Sequence, residues 1–208
     1  RRARAKERIK DYYGAISDYS RVIEINPNDP FAFGLRGYLK EELKDLNGAL
    51  ADYSKANEIK PDVFIFTRMG SIKLDSEDYY GAIDVFNKAI KLFPDNPVFY
   101  SKRGWAKGYL DDGKGALADH DKAIELDKSA WFYYSRGTTK VYLIKDYYGA
   151  ITDFTLAIEL ESKMEIAYAR RGVSKEFLGD LNGACADWRK AASLGHEDSA
   201  QWVRNQCN

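Results

Sequence analysis

The residues able to do chemistry are few and scattered. Gly108-x-x-x-x-Gly113-Lys114 has the Gly and Lys spacing of a phosphate-cradling loop. Such a loop also needs a following Ser or Thr for Mg²⁺ and a strand–loop–helix setting. Residue 115 is Gly, and the segment reads as a turn between two helices. The two histidines, His120 and His196, each lack a second His nearby, so neither begins a metal site or an acid–base pair. Asp and Glu alternate with Lys along helical stretches and read as solvated faces. With no nucleophile–base constellation, the sequence predicts no enzyme, no metal and no cofactor.

Two further sets remain. Lys6, Lys40, Lys73, Lys107, Lys140 and Lys175 recur at near-constant spacing and could track a phosphate backbone. Lys+Arg and Asp+Glu both count 32, however, and a dedicated nucleic-acid binder usually carries a basic excess. The plainer reading is a solvated row whose aliphatic stems cover a helix junction. Cys185 and Cys207 lie 10 residues before and 12 after Gly195. A fold-back at Leu194-Gly195 would let them approach, which leaves a disulfide open; if bonded, they imply a periplasmic or extracellular setting rather than the cytoplasm.

These residues ride on a repeat. A Gly-Ala-apolar triplet recurs at Gly14, Gly48, Gly81, Gly115 and Gly149, and as Gly183-Ala184-Cys185, with spacings of 34, 33, 34, 34 and 34. An aromatic or His and then a small residue follow, as in Tyr53 and Ala56, or Phe86 and Ala89, giving the stripe of an amphipathic helix. Asp11, Asp45, Asp78, Asp112, Asp146 and Asp180 stand three residues before each triplet Gly, where Asp caps a helix. A first helix in each unit carries its own Gly: Gly37, Gly70, Gly104, Gly137 and Gly172. Gly costs about 1 kcal/mol inside a helix, so its recurrence predicts close helix–helix approach.

An Arg precedes the first-helix Gly or Ala in five copies, and an Asp precedes the second-helix aromatic or His in the same five. The pairs are Arg2–Asp18, Arg36–Asp52, Arg103–Asp119, Arg136–Asp153 and Arg171–Asp187. The third copy has Met69 and Val85 instead, so both charges go together, as contacting partners would.

Phe33, Gly37, Ala49, Tyr53, Ala56 and Pro61, with Phe66, Gly70, Ala82, Phe86, Ala89 and Pro94, reproduce the signature of the tetratricopeptide repeat. The later copies vary it: His120 replaces an aromatic, Lys128 replaces Pro, and one residue is inserted near Ile144. The whole chain resembles this family in its bacterial form. The resemblance implies an all-α solenoid, a right-handed superhelix of antiparallel helix pairs. The expected organisation is one domain: a partial repeat at 1–28, repeats at 29–62, 63–96, 97–129, 130–163 and 164–195, and a capping helix at 196–208. Arg2-Ala3-x-x-Lys6 matches the middle of a first helix, so the chain is expected to begin inside one.

The family binds peptide segments on the exposed face of its first helices. Carried over, that face gives Phe31, Tyr38 and Glu42; Phe64, Thr67 and Ser71; Ser101, Trp105 and Tyr109; Trp131, Tyr134, Thr138 and Tyr142; and Ile166, Val173 and Phe177. The fourth and fifth copies are its aromatic centre, and Trp and Tyr are the usual anchors of binding hot spots. Arg68, Lys102 and Arg170 flank it and could select acidic partner residues. They stand where the chaperone-tail-binding subclass has Asn, so that subclass is disfavoured. The expected function is a protein-interaction scaffold with a protein or peptide partner. The alternatives are single-stranded RNA binding through the Lys row and exposed Tyr, and self-association. No apolar run approaches the roughly 18–20 residues of a membrane span.

Overall fold

In the computed structural model, residue 6 and residues 9–207 are described. The chain divides into two compact units, residues 1–94 and 95–208. The first holds α1 (Tyr12–Ile25), α2 (Pro30–Glu42), α3 (Leu46–Ile59), α4 (Val63–Asp75) and α5 (Tyr79–Leu92). The second holds α6 (Pro97–Tyr109), α7 (Gly113–Leu126), α8 (Ala130–Thr139), α9 (Tyr147–Leu160), α10 (Glu165–Phe177), α11 (Leu181–Ser193) and α12 (Glu197–Gln206). Within each unit consecutive helices pack on one another. No strand occurs among the described residues, and none of their helices is long and apolar enough to cross a membrane. The expected opening inside a first helix, and the Arg2 of the first ion pair, lie outside the described residues.

The triplet Gly is a capping device. The six Asp caps each accept a hydrogen bond from the Gly N–H three residues on, at 2.8–3.0 Å. A Cβ on that Gly would stand 2.0–2.4 Å from the capping carboxylate oxygen, so any other residue there would push the capping side chain aside. The first-helix Gly is a packing device. A Cβ on Gly70 would lie 2.1 Å from Phe86 Cζ, and one on Gly172 would lie 2.5 Å from the Trp188 indole nitrogen. Gly37, Gly104 and Gly137 meet Tyr53, His120 and Phe154 in the same way. The second-helix alanines, such as Ala56, Ala89 and Ala157, are fully buried beside these rings.

The residue inserted near Ile144 is absorbed in a π-helical turn, Lys140–Ile144, which continues α8. A single extra residue in a helix commonly takes this form. At the far end, α12 folds back on α11. Its Trp202 ring meets Trp188, with centroids 5.5 Å apart, and Cys207 is joined to Cys185.

Candidate functional site

The four predicted ion pairs that lie within the described residues form, and each is a triad. Arg36, Arg103, Arg136 and Arg171 grip Asp52, Asp119, Asp153 and Asp187 through Nε and Nη2, at 2.6–3.0 Å. The Oδ2 that accepts from the Arg Nε also takes Lys40, Lys107, Lys140 or Lys175, at 2.7–2.8 Å. Lys6 meets Asp18 at 3.2 Å, and Lys73, whose repeat lacks the Asp, turns to Asp78 at 2.7 Å. The Lys row is therefore tied down from within, although each triad of Arg, Lys and Asp keeps one net positive charge. Carboxylates hold its ammonium groups within the fold.

The phosphate-loop spacing falls on the end of α6, a turn and the start of α7, a helical setting throughout. His120 is fully buried, and neither ring nitrogen has a hydrogen-bond partner. Burial lowers its pKa to about 4, so the ring is neutral at pH 7. His196 caps α12, its Nδ1 accepting from the Ser199 N–H at 3.2 Å. Among the described residues no group of three His, Cys, Asp or Glu could hold a metal ion.

What remains is apolar surface on the first helices, in each unit separately. In the first unit α2 and α4 enclose a groove of about 390 Å³, lined by Phe31, Gly34, Leu35, Tyr38, Phe64 and Ile65 among others. Phe31, Tyr38 and Phe64 are 70%, 37% and 57% exposed, which is unusual for side chains of their type. The Lys60 ammonium lies over the Phe31 ring, 5.8 Å from its centroid. Arg68 does not reach into this groove as a free cation: its Nε and Nη2 bond the Glu41 carboxylate. Glu41 also accepts from the Tyr53 hydroxyl at 2.8 Å, and burial and this bond push the Tyr53 phenol above its usual range.

In the second unit a smaller hollow of about 130 Å³ lies between α6 and α8, lined by Trp105, Gly108, Tyr109, Tyr142 and Leu143 among others. Tyr109, Trp131 and Tyr142 are 62%, 50% and 40% exposed. Trp105 is half-buried; its indole N–H donates to Ser135 Oγ at 3.2 Å, and its ring meets His120 edge-on. Tyr134 is only 5% exposed, wedged between Trp131 and Phe154, so it floors this surface from inside. Phe177 is 56% exposed and stacks on Tyr147, with centroids 4.8 Å apart. Lys102 is half-buried on α6.

The structure thus brings Trp105, Tyr109 and Tyr142 together and keeps Tyr38 in the other unit. The larger groove belongs to the second and third copies. The repeat signature does not reveal it, because the residue that opens it is Gly34, outside the signature. A Cβ there would come within 3.1 Å of Ile65 Cδ1.

Residues 32–63 and 65–96 match the family model of the tetratricopeptide repeat. No curated protein matches the sequence. Solved structures that resemble the chain are tetratricopeptide-repeat proteins at low identity. YrrB, described as a TPR protein with an unusual peptide-binding site, shares 22% identity over 89% of this chain and 97% of its own, with a TM-score of 0.67. MamA from Desulfovibrio magneticus RS-1, residues 41 to its end, shares 21% over 78% of this chain and 92% of its own, with a TM-score of 0.67. The C-terminal part of a TPR repeat-containing protein from Cytophaga hutchinsonii shares 19% over 98% and 82%, with a TM-score of 0.72. At these identities the likeness is one of fold: an all-α solenoid of tetratricopeptide helix pairs.

Proposed function

We propose that this tetratricopeptide-repeat protein is a non-enzymatic scaffold that binds a segment of a partner protein on its first-helix faces. The observation that carries the reading is the exposure of Tyr109 and Tyr142 around one hollow, with Trp131 also exposed, on α8. Large aromatics grouped on a surface mark interaction sites, since leaving them in water is unfavourable. Trp and Tyr also lose little conformational freedom on binding, which suits them as anchors. The reading gives contact roles to Trp105, Tyr109, Trp131, Tyr142 and Phe177, and in the first unit to Phe31, Tyr38 and Phe64. The peptide-binding site of YrrB is a property of that protein; only its kind of ligand is taken up here. The Cys185–Cys207 bond suits an oxidising compartment.

The test is covalent capture. With a photo-cross-linking amino acid at Tyr109, and separately at Tyr148, which is 74% exposed, the full chain is irradiated in cells of its source. A partner protein joined through position 109 and absent through 148 is the expected result. Recovery of RNA alone, or of the same proteins from both positions, contradicts it.

A further inference from the structure

Arg36, Arg68, Arg103, Arg136 and Arg171 are half-buried, and each has a carboxylate: Asp52, Glu41, Asp119, Asp153 and Asp187. Arg170 is half-buried too, but no carboxylate among the described residues pairs with it. Its Nη1 donates to the Tyr142 hydroxyl, and its guanidinium carbon lies 5.4 Å from the Tyr142 ring centroid. Its Nε is buried and has no hydrogen-bond partner. A buried donor without a partner carries an uncompensated desolvation cost, while the Nη1 side of the guanidinium stays exposed.

The chain contains its own control. Arg68 and Arg170 occupy the same place in their repeats, two residues before Gly70 and Gly172. Each reaches back to the first helix of the preceding repeat, Arg68 to Glu41 and Arg170 to Tyr142. Where the earlier repeat supplies a carboxylate, the later one supplies a phenol that also borders the hollow between α6 and α8. The π-helical turn places it there, since Tyr142 and Leu143 both belong to that turn.

We infer that Arg170 and Tyr142 form an acid-selecting corner of this hollow, where an Asp or Glu side chain of the partner segment pairs with Arg170 while a neighbouring apolar side chain packs on Tyr109, Tyr142 and Leu143. This rests on the peptide-binding reading above. A single guanidinium matches the two oxygens of one carboxylate, whereas phosphate sites gather several cations. The Tyr142 hydroxyl, already a partner of Arg170, holds the fork in place.

The test is selection of a phage-displayed library of random 12-residue peptides, with blocked C-termini, on the full chain and on variants. On the native chain the enriched peptides should carry Asp or Glu within a few residues of an aromatic or aliphatic residue. As synthetic amidated peptides they should bind at least tenfold more tightly than their Asn/Gln versions. Arg170→Glu should shift enrichment to Lys and Arg. Tyr142→Glu, which copies the Arg68–Glu41 pair, should erase the acidic preference while Arg170 remains. Equal affinity of acidic and amide peptides, with binding still lost in Tyr109→Ala, overturns the acid-selecting corner and leaves the groove standing. A preference that needs a free C-terminus or a phosphorylated side chain overturns the assignment to an internal Asp or Glu. Failure to enrich any peptide that Tyr109→Ala loses overturns both readings.

Discussion

Lys73 bonds Asp78, the cap of its own second helix, at 2.7 Å, whereas its counterparts Lys40, Lys107, Lys140 and Lys175 bond a buried Asp about two turns further along that helix. The third repeat shows how the fold works without the triad: Met69 and Val85 replace Arg and Asp, and the Lys swings outward.

The same exchange can be built in the fourth repeat. Asp119→Ala leaves Arg103 and Lys107 without their shared carboxylate, whose side chain is 5% exposed. The loss should be about 3–5 kcal/mol. The double change Arg103→Met with Asp119→Val should cost less, because Lys107 can turn to Asp112 as Lys73 turns to Asp78. Urea denaturation of both variants checks the order; a double variant as unstable as the single one contradicts it.

Helix boundaries, caps and close contacts are legible in the sequence because each rests on a residue type with one physical use. Asp three before Gly is a cap, and Gly opposite an aromatic is a close approach. Other features are not legible for equally physical reasons. Left-handed backbone ends the first helices at Lys44, Glu77, Asp111 and Lys145, where only Gly179 carries the usual residue type. Tyr134 and Tyr142 look alike in the repeat pattern, yet one is buried and the other borders the hollow, because the extra residue of the π-helical turn rotates the end of α8. Arg68 and Arg170 are alike in sequence and differ only in what reaches them from the preceding helix.

His120 makes stability depend on acid. Its folded pKa is about 4, lowered by burial from an ordinary 6.5. The folded state therefore favours the neutral ring. This contribution is complete above pH 6.5 and is lost as pH falls towards 4, by up to about 3 kcal/mol. His120→Phe copies Phe86 and Phe154 at the same place. Comparison of urea melts at pH 7 and pH 4.5 should show a smaller drop in this variant than in the native chain.

Gly70 and Gly34 should respond differently to alanine. A Cβ at Gly70 meets Phe86 Cζ at 2.1 Å in a closed contact, whereas one at Gly34 meets only the terminal methyl of Ile65 at 3.1 Å. Gly70→Ala should cost about 3 kcal/mol, and Gly34→Ala under about 1 kcal/mol, since a flexible methyl can move aside. Denaturant midpoints at constant slope check both.

The Cys185–Cys207 bond spans 22 residues and closes the α11–α12 hairpin. Helix α12 has ten residues, of which only Ser199 is buried, too short a helix to persist undocked. Reduction should lower stability by about 3 kcal/mol on the chain-entropy account. Hydrogen exchange should show residues 197–206 losing protection first, while α6 to α9 stay protected.

The central claim is that the aromatic face of the second unit is where a partner segment binds. Isothermal titration of the tightest library-selected peptide into the native chain, Tyr142→Ala and Trp131→Ala, with a thermal melt of each, tests it most directly. Both rings are at least 40% exposed, so truncation should leave the melts nearly unchanged and weaken binding by about 2 kcal/mol or more. Normal binding by both variants, or loss of binding only through unfolding, would contradict the claim.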